Sequence, residues 1–198
     1  EYHDAPISTI SYLIHSMLSE QINANGYKVA ISGTSADEIF TGYYDHFNLH
    51  LFEMKNRSSF NNHMKNWKKY IYPNIRNPYL KNPKLYFKDH SFRNHNHLDS
   101  ELFSSYLKDD FSMNFKDVVY SKSLLRNRML NELMHESTPV ILHEDDLNSM
   151  KYSIENRSPF LDVNLVEFSF SIPSDYLIKE GYSKYILRSA VKNILNDK

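Results

Sequence analysis

The sequence predicts a helix-rich α/β fold. An amphipathic stripe over residues 8–24 is followed by a short β-branched run, Tyr27-Lys28-Val29-Ala30-Ile31. A polar turn, Ser32-Gly33-Thr34-Ser35, comes next, and a helical pattern then runs from Ala36 to about Tyr44. Helix, strand, tight turn and helix in that order make half of an α/β unit, and ligands of such sheets sit beyond the carboxyl ends of the strands. The rest of the chain shows mostly helical periods, and 198 residues suffice for one domain with one sizeable core.

In the first helix, Ile10, Leu13, Ile14, Met17, Leu18 and Ile22 fall on one stripe, which predicts a face turned to the core. Ser8 is the expected N-cap and Gly26 the stop. The strand, about 28–31, is expected to be buried, because it is apolar and bounded by turn residues. Between 45 and 116, two or three helices are expected, at about 45–55, 58–70 and 99–108, with Pro73, Pro78 and Pro83 breaking the segment. Residues 118–135 predict a helix with Val119, Leu124, Leu125, Met129, Leu130, Leu133 and Met134 on its apolar face. Residues 138–162 give mixed signals, with Pro139-Val140-Ile141-Leu142 beside a polar stretch. Residues 163–171 predict a helix, Ile172-Pro173-Ser174 a turn, and Lys184–Leu195 a last helix. No internal repeat or low-complexity tract is present.

Composition narrows the chemistry. The chain has no cysteine, which excludes disulfides, thiol catalysis and cysteine metal sites and fits a reducing, cytoplasmic setting. No apolar run approaches the roughly 20 residues of a membrane helix, so no membrane partner is expected. With 23 basic and 24 acidic residues, the overall balance gives no electrostatic case for nucleic acid. The four glycines, Gly26, Gly33, Gly42 and Gly181, lie far apart. A phosphate-cradling loop needs clustered glycines so that backbone N–H groups can reach the anion. The chain therefore holds neither a Walker loop nor a dinucleotide fingerprint.

Two segments carry chemistry. The first is Val29-Ala30-Ile31-Ser32-Gly33-Thr34-Ser35-Ala36-Asp37-Glu38-Ile39-Phe40-Thr41-Gly42-Tyr43. The second runs from Pro139-Val140-Ile141-Leu142 through Ser149-Met150 to Ile154-Glu155-Asn156-Arg157-Ser158-Pro159-Phe160-Leu161-Asp162, and on through Leu165-Val166-Glu167-Phe168 and Ile172-Pro173 to Ser183-Lys184-Tyr185-Ile186-Leu187-Arg188. Together, in order, and with Tyr2-His3-Asp4-Ala5-Pro6 ahead of them, they resemble the asparagine synthetase family. There the first segment usually reads Ser-Gly-Glu-Gly, a small residue, Asp-Glu, two apolar residues and Gly-Gly-Tyr. The resemblance covers roughly 1–47 and 117–195, and residues 48–116 match nothing in the pattern.

The resemblance implies the C-terminal portion of an adenine-nucleotide α-hydrolase-like (PP-loop) synthetase domain over residues 1–198. The implied reaction is adenylation of a substrate carboxylate by ATP, with ammonia from glutamine resolving the acyl-adenylate into an amide. It places Ser32, Gly33 and Asp37 at nucleotide-contacting positions and makes Asp37 a Mg²⁺ ligand. Lys184 and Thr34 stand at catalytic positions, Lys184 being the lysine that stabilises charge at the α-phosphate. Asp37 and Lys184, 147 positions apart, are then expected to face one cleft.

Two departures shape the expectation. The family's Ser-Gly-Gly-x-Asp-Ser loop is absent and normally lies upstream, so the N-terminal half of the synthetase domain is expected outside residues 1–198. This chain alone is then expected to be inactive. The Glu that follows Ser-Gly in the family is Thr34 here, and the next Gly is Ser35. In asparagine synthetases that Glu supports aspartate activation, and lactam-forming relatives place Tyr there, so the acceptor is aspartate or another acid, such as a uronic-acid sugar. A non-catalytic, partner-binding remnant and a lactam-forming relative are the alternatives.

Plainer readings stand beside these. Asp37-Glu38 at a helix start also complements the helix dipole, and Lys184 opening a helix also reads as a solvated lysine. Glu155 and Arg157 read as a structural pair, and Asp145-Asp146 as a solvated turn. His90, His95 and His97 with Asp89 and Asp99 lack the cysteines and close carboxylates of a metal site.

Overall fold

The computed structural model describes residues 9–89, 105–108 and 116–195. Ser8, the Tyr2–Pro6 stretch and the His90–His97 histidines lie outside the described residues. The chain divides into two compact units, Glu1–Ile39 with Met129–Ser171, and Phe40–Arg128 with Ile172–Lys198.

The first unit contains the α/β element. Helix α1 (Ser11–Ala24) ends at Asn25 and Gly26, and Gly26 takes a positive φ of 82° that glycine adopts without strain. Strand β1 (Val29–Ile31) pairs in parallel with β2 (Glu155–Arg157), Val29 opposite Glu155 and Ile31 opposite Arg157. The turn then leads straight into α2 (Ala36–Phe40), as expected. The strand itself is not buried, for Val29 is 43% and Ile31 77% exposed. Parallel sheets normally hide both faces under helices, and among the described residues no element covers these two side chains.

The apolar stripe of α1 also departs from expectation. Ile10, Leu13, Ile14, Met17 and Leu18 are exposed, whereas Tyr12 and Ser19 are buried. What α1 turns inward is its polar face, against α7 (Ser137–Lys151). The Tyr12 carbonyl accepts from Asn148 Nδ2 at 3.1 Å, and His15 Nδ1 lies 2.7 Å from Asp145 Oδ1. Hydrogen bonds join this pair, and the apolar stripe is left exposed. Asp145 is therefore a buried, paired carboxylate within a helix and not part of a solvated turn. Helix α7 runs through the stretch of mixed signals because Pro139 falls in its first turn, where a missing N–H costs nothing. It is followed by a 3₁₀ turn at Pro159–Leu161 and by α8 (Val163–Ser171).

The second unit is helical. In α3 (Tyr44–Met54) every residue from Asp45 to Leu51 is buried, so the helix is enclosed all round and its polar groups need partners. Asp45 Oδ2 accepts from Arg128 at 3.3 Å, and Asn48 Nδ2 donates to the Leu80 carbonyl at 3.0 Å. Helix α4 (Phe60–Asn66) passes into a π-helical turn, Trp67–Ile71, and a 3₁₀ turn, Tyr72–Asn74. A short α5 (Lys84–Lys88) follows, which the sequence pattern does not reveal. Ser105–Lys108 form turn and bend rather than the end of a helix. Helix α6 (Leu124–Met134), whose residues from Met129 on belong to the first unit, starts later than expected, leaving Val119 outside it and exposed. Leu125, Met129 and Leu133 are buried as the stripe predicts. The last helix, α9 (Tyr185–Ala190), stops short of Leu195, and Asn193 beyond it takes φ 72°.

Candidate functional site

The motif turn is held from both sides in the first unit. Ser32 N–H donates to the Arg157 carbonyl at 2.8 Å, which continues the β1–β2 pairing by one residue. Its hydroxyl donates to Thr34 Oγ1 at 3.0 Å and lies 3.1 Å from Ser158 Oγ. Three hydroxyls thus meet at the carboxyl end of β1. Ser158 belongs to the second motif, and only the parallel pairing of β1 with β2 brings it to Ser32, so its part in the site is invisible in the sequence alone.

Ser35 explains how the turn closes. It is buried, has φ 72°, and its Oγ lies 3.0 Å from Thr138 Oγ1. A left-handed backbone costs a residue with a Cβ about 1–2 kcal/mol, and the family places glycine here. Ser35 takes a conformation that suits glycine better, and a hydrogen bond to α7 offsets part of its cost. In the second unit Thr41 does the same at the first position of the usual Gly-Gly-Tyr, with φ 70°. Its hydroxyl donates to the Phe40 carbonyl. Residues held in such sparse regions gather at functional sites, where surrounding structure over-determines them.

The donor set fits the nucleotide and metal that the motifs imply. At Gly33 no atom lies within 4 Å of where a Cβ would stand, so a ligand can approach the backbone closely. Asp37 is half-buried in α2 and offers the hard oxygen that a magnesium ion requires. Its neighbour Glu38 is buried, at 1% exposure, as befits a structural role. Helix α2 has only five residues and does not reach Tyr44, because Thr41 breaks it.

Lys184 lies in the second unit, half-buried at the N-cap of α9. It too has a left-handed backbone, φ 54° and ψ 32°. Its N–H donates to the Phe40 carbonyl at 3.2 Å and meets Thr41 Oγ1 at 3.4 Å, so the loop carrying Lys184 is tied to the segment that follows the acidic pair. Ser32, Gly33, Thr34 and Asp37 share one short stretch of the first unit. Glu155 and Arg157 are an exposed pair on β2, with Arg157 Nε donating to Glu155 Oε1 at 2.8 Å. That bond holds the Glu155 carboxyl below its ordinary range, and the arrangement matches the structural reading.

A strand of a parallel pair delivers a hydroxyl-rich, strained turn and an acidic pair at its carboxyl end, an arrangement compatible with an α/β protein. The chain belongs to the asparagine synthase family, whose model matches residues 1–198. Searches of curated proteins and of solved structures returned no match. Membership implies an ATP-dependent amide-forming ligase in general, in a family whose members use ATP, typically with Mg²⁺. No helix among the described residues is long and apolar enough to cross a membrane.

Proposed function

We propose that this chain is the amide-forming part of an ATP-dependent ligase that activates the carboxylate of an acid other than aspartate and resolves it with ammonia derived from glutamine. The reading rests on the turn at 32–35. Ser35 has a left-handed backbone, strained for serine, at a position that the family's motif gives to glycine, which supports reading the turn as one of the same shape with different side chains.

When bound, magnesium and ATP supply an electrophilic phosphate and a pyrophosphate leaving group. Ser32 and Gly33 contact the nucleotide and Asp37 takes the metal. Lys184 meets negative charge that grows during the reaction, a task suited to a point charge on a flexible stem. Thr34 presents a hydroxyl fixed by Ser32 where the family has a carboxylate. An uncharged group there favours an acceptor that brings no second charge to be matched at that point.

The N-terminal half of the synthetase domain, part of the same protein, completes the site with the phosphate loop that four scattered glycines cannot build. The exposed stripe of α1 and the exposed side chains of β1 are the faces it covers. The same exposed faces also favour a second reading, a partner-binding module without catalysis.

Pyrophosphate release by the intact protein across a panel of carboxylates, including aspartate and uronic acids, separates the two. Release with one acid, and amide formed from it, is the expected result. Lys184→Ala then lowers turnover by about 10²–10³ with little change in ATP affinity, and Asp37→Asn raises the Mg²⁺ requirement. Normal pyrophosphate release and amide yield from Lys184→Ala overturns the catalytic assignment.

A further inference from the structure

Charge is not spread evenly along this chain. Between Met54 and Lys88 there are nine lysines and arginines and no aspartate or glutamate, although the whole chain carries a net charge of -1. The remainder holds 14 basic against 24 acidic residues. This segment lies within residues 48–116, where the sequence alone shows none of the family's motifs, although the family model spans it.

The fold of the second unit gathers these charges. A cleft of about 560 Å³ opens between the π-helical turn and the loop leading into α5, with Lys68, Lys81 and Lys84 on its walls and Met64, Trp67 and Tyr72 among its apolar lining. The Lys81 ammonium lies 5.4 Å from the centre of the Tyr72 ring, and the Trp67 and Tyr72 rings stand 5.5 Å apart. A second cleft of about 500 Å³ shares Met64 and Lys68 and adds Lys65 and Lys69. Among the described residues, no carboxylate lines either cleft. The loop is held in place, since the Leu80 carbonyl accepts from Asn48 Nδ2 and Asn82 Oδ1 accepts from Lys84 N–H at 3.2 Å. Pro83 is buried within it.

We propose that the larger cleft binds a small organic anion that carries two or more phosphate or carboxylate groups beside a ring. Like charges held together without a counter-charge repel one another, and an anion of matching multiplicity relieves that repulsion. The volume suits a ligand of that size. Tyr72, exposed and next to Trp67, offers a face on which a ring can lie. Lysine rather than arginine on every wall selects for charge and not for a fixed bidentate geometry, so phosphate and carboxylate both qualify. The cleft belongs to the second unit and the motif turn to the first, and the inference does not depend on the proposed reaction.

Calorimetric titration tests it with three probes, inorganic tripolyphosphate, citrate and cytidine diphosphate, at low salt and at about 0.3 M salt, where screening is stronger. Binding is expected to weaken at the higher salt. Single Lys68→Gln, Lys81→Gln and Lys84→Gln substitutions, which keep most of the stem, are each expected to weaken it about two- to fivefold, and the triple variant by about 10- to 100-fold. Tyr72→Ala is expected to remove any preference for the ring-bearing nucleotide over tripolyphosphate and to leave tripolyphosphate binding within about twofold. Lys151→Gln on α7 alters net charge equally and is expected to leave every affinity unchanged. Tightest binding of cytidine diphosphate points to a nucleotide-like ligand, and tightest binding of citrate to a carboxylic acid. Failure of all three probes to bind at low salt overturns the proposal. So does a Lys151→Gln effect equal to that of the cleft lysines, which marks a diffuse field rather than a site.

Discussion

Two helices, α1 and α6, carry stripes that look alike in sequence and meet opposite fates. In α6, Leu125 and Met129 are fully buried, whereas in α1, Met17 and Leu18 are each 58% exposed. The apolar period of 3.6 residues encodes a need for a partner surface without saying which surface meets it. In α6 the described chain supplies that surface. In α1 it supplies α7 on the opposite, polar side, through Asn148 and Asp145. The apolar stripe of α1 is thus left open while its other face is hydrogen-bonded.

Replacing the same residue type at both stripes tests the comparison most directly. Met129→Ala removes buried methylenes and leaves a cavity, and is expected to cost about 2–5 kcal/mol in chemical denaturation. Met17→Ala is expected to change stability by less than about 0.5 kcal/mol. Equal losses at the two positions would mean that α1 is as enclosed as α6.

Burial also has a titratable consequence. His50, in the enclosed helix α3, is 1% exposed, and burial pushes its imidazole pKa down to about 3, with His63 and Arg57 nearby acting in the same direction. His63, partly buried with its ring centre 5.1 Å from that of His50, is also lowered, by burial first. The folded chain therefore binds fewer protons than the unfolded one between the ordinary histidine range near 6.5 and about 3. Stability is fully present above pH 6.5 and is lost as pH falls through that window, by on the order of 1–3 kcal/mol once screening and local opening are allowed for. Urea midpoints at pH 7 and pH 4.5 measure it. His50→Gln is expected to flatten the dependence, and an unchanged slope would remove His50 from the account.

The smallest effect concerns the turn. Ser35→Gly and Ser35→Ala both lose the hydrogen bond to Thr138, but only glycine relieves the left-handed backbone. The glycine variant is expected to be more stable than the alanine variant by about 1 kcal/mol. Parity between them would mean that the turn relaxes freely and is not held in its shape.

Much of the site was legible because its signals are local. A β-branched run followed by Ser-Gly, an acidic pair and a helical pattern fixes strand, turn and helix without long-range help, and Glu155 and Arg157 read as an extended pair because a single residue separates them. Helix α7 was not legible, since Pro139-Val140-Ile141-Leu142 has the composition of a strand and only its place in a first turn makes it helical. Ser158 and Thr138 were missed because their partners, Ser32 and Ser35, lie more than a hundred positions away. The exposure of Val29 and Ile31 was illegible for a related reason, as burial depends on what stacks over a sheet and not on the strand. The lysine cleft escaped notice because charge was averaged over all 198 residues, which cancels a segment of nine positive charges against acids elsewhere.

The pairing of Val29 with Glu155 joins strands 126 positions apart. A contact of that span pays its loop-closure entropy before any reward arrives, so it is slow to form and favours late assembly. On a ribosome the consequence is an order of events. The motif at 32–38 leaves the exit channel early and stays without its strand partner until Arg157 has followed, because Ser32 N–H bonds to the Arg157 carbonyl. The residues that read most clearly as a site are thus among the last to take their working shape. A nascent chain halted before β2 would carry the whole first motif in its sequence and none of its geometry.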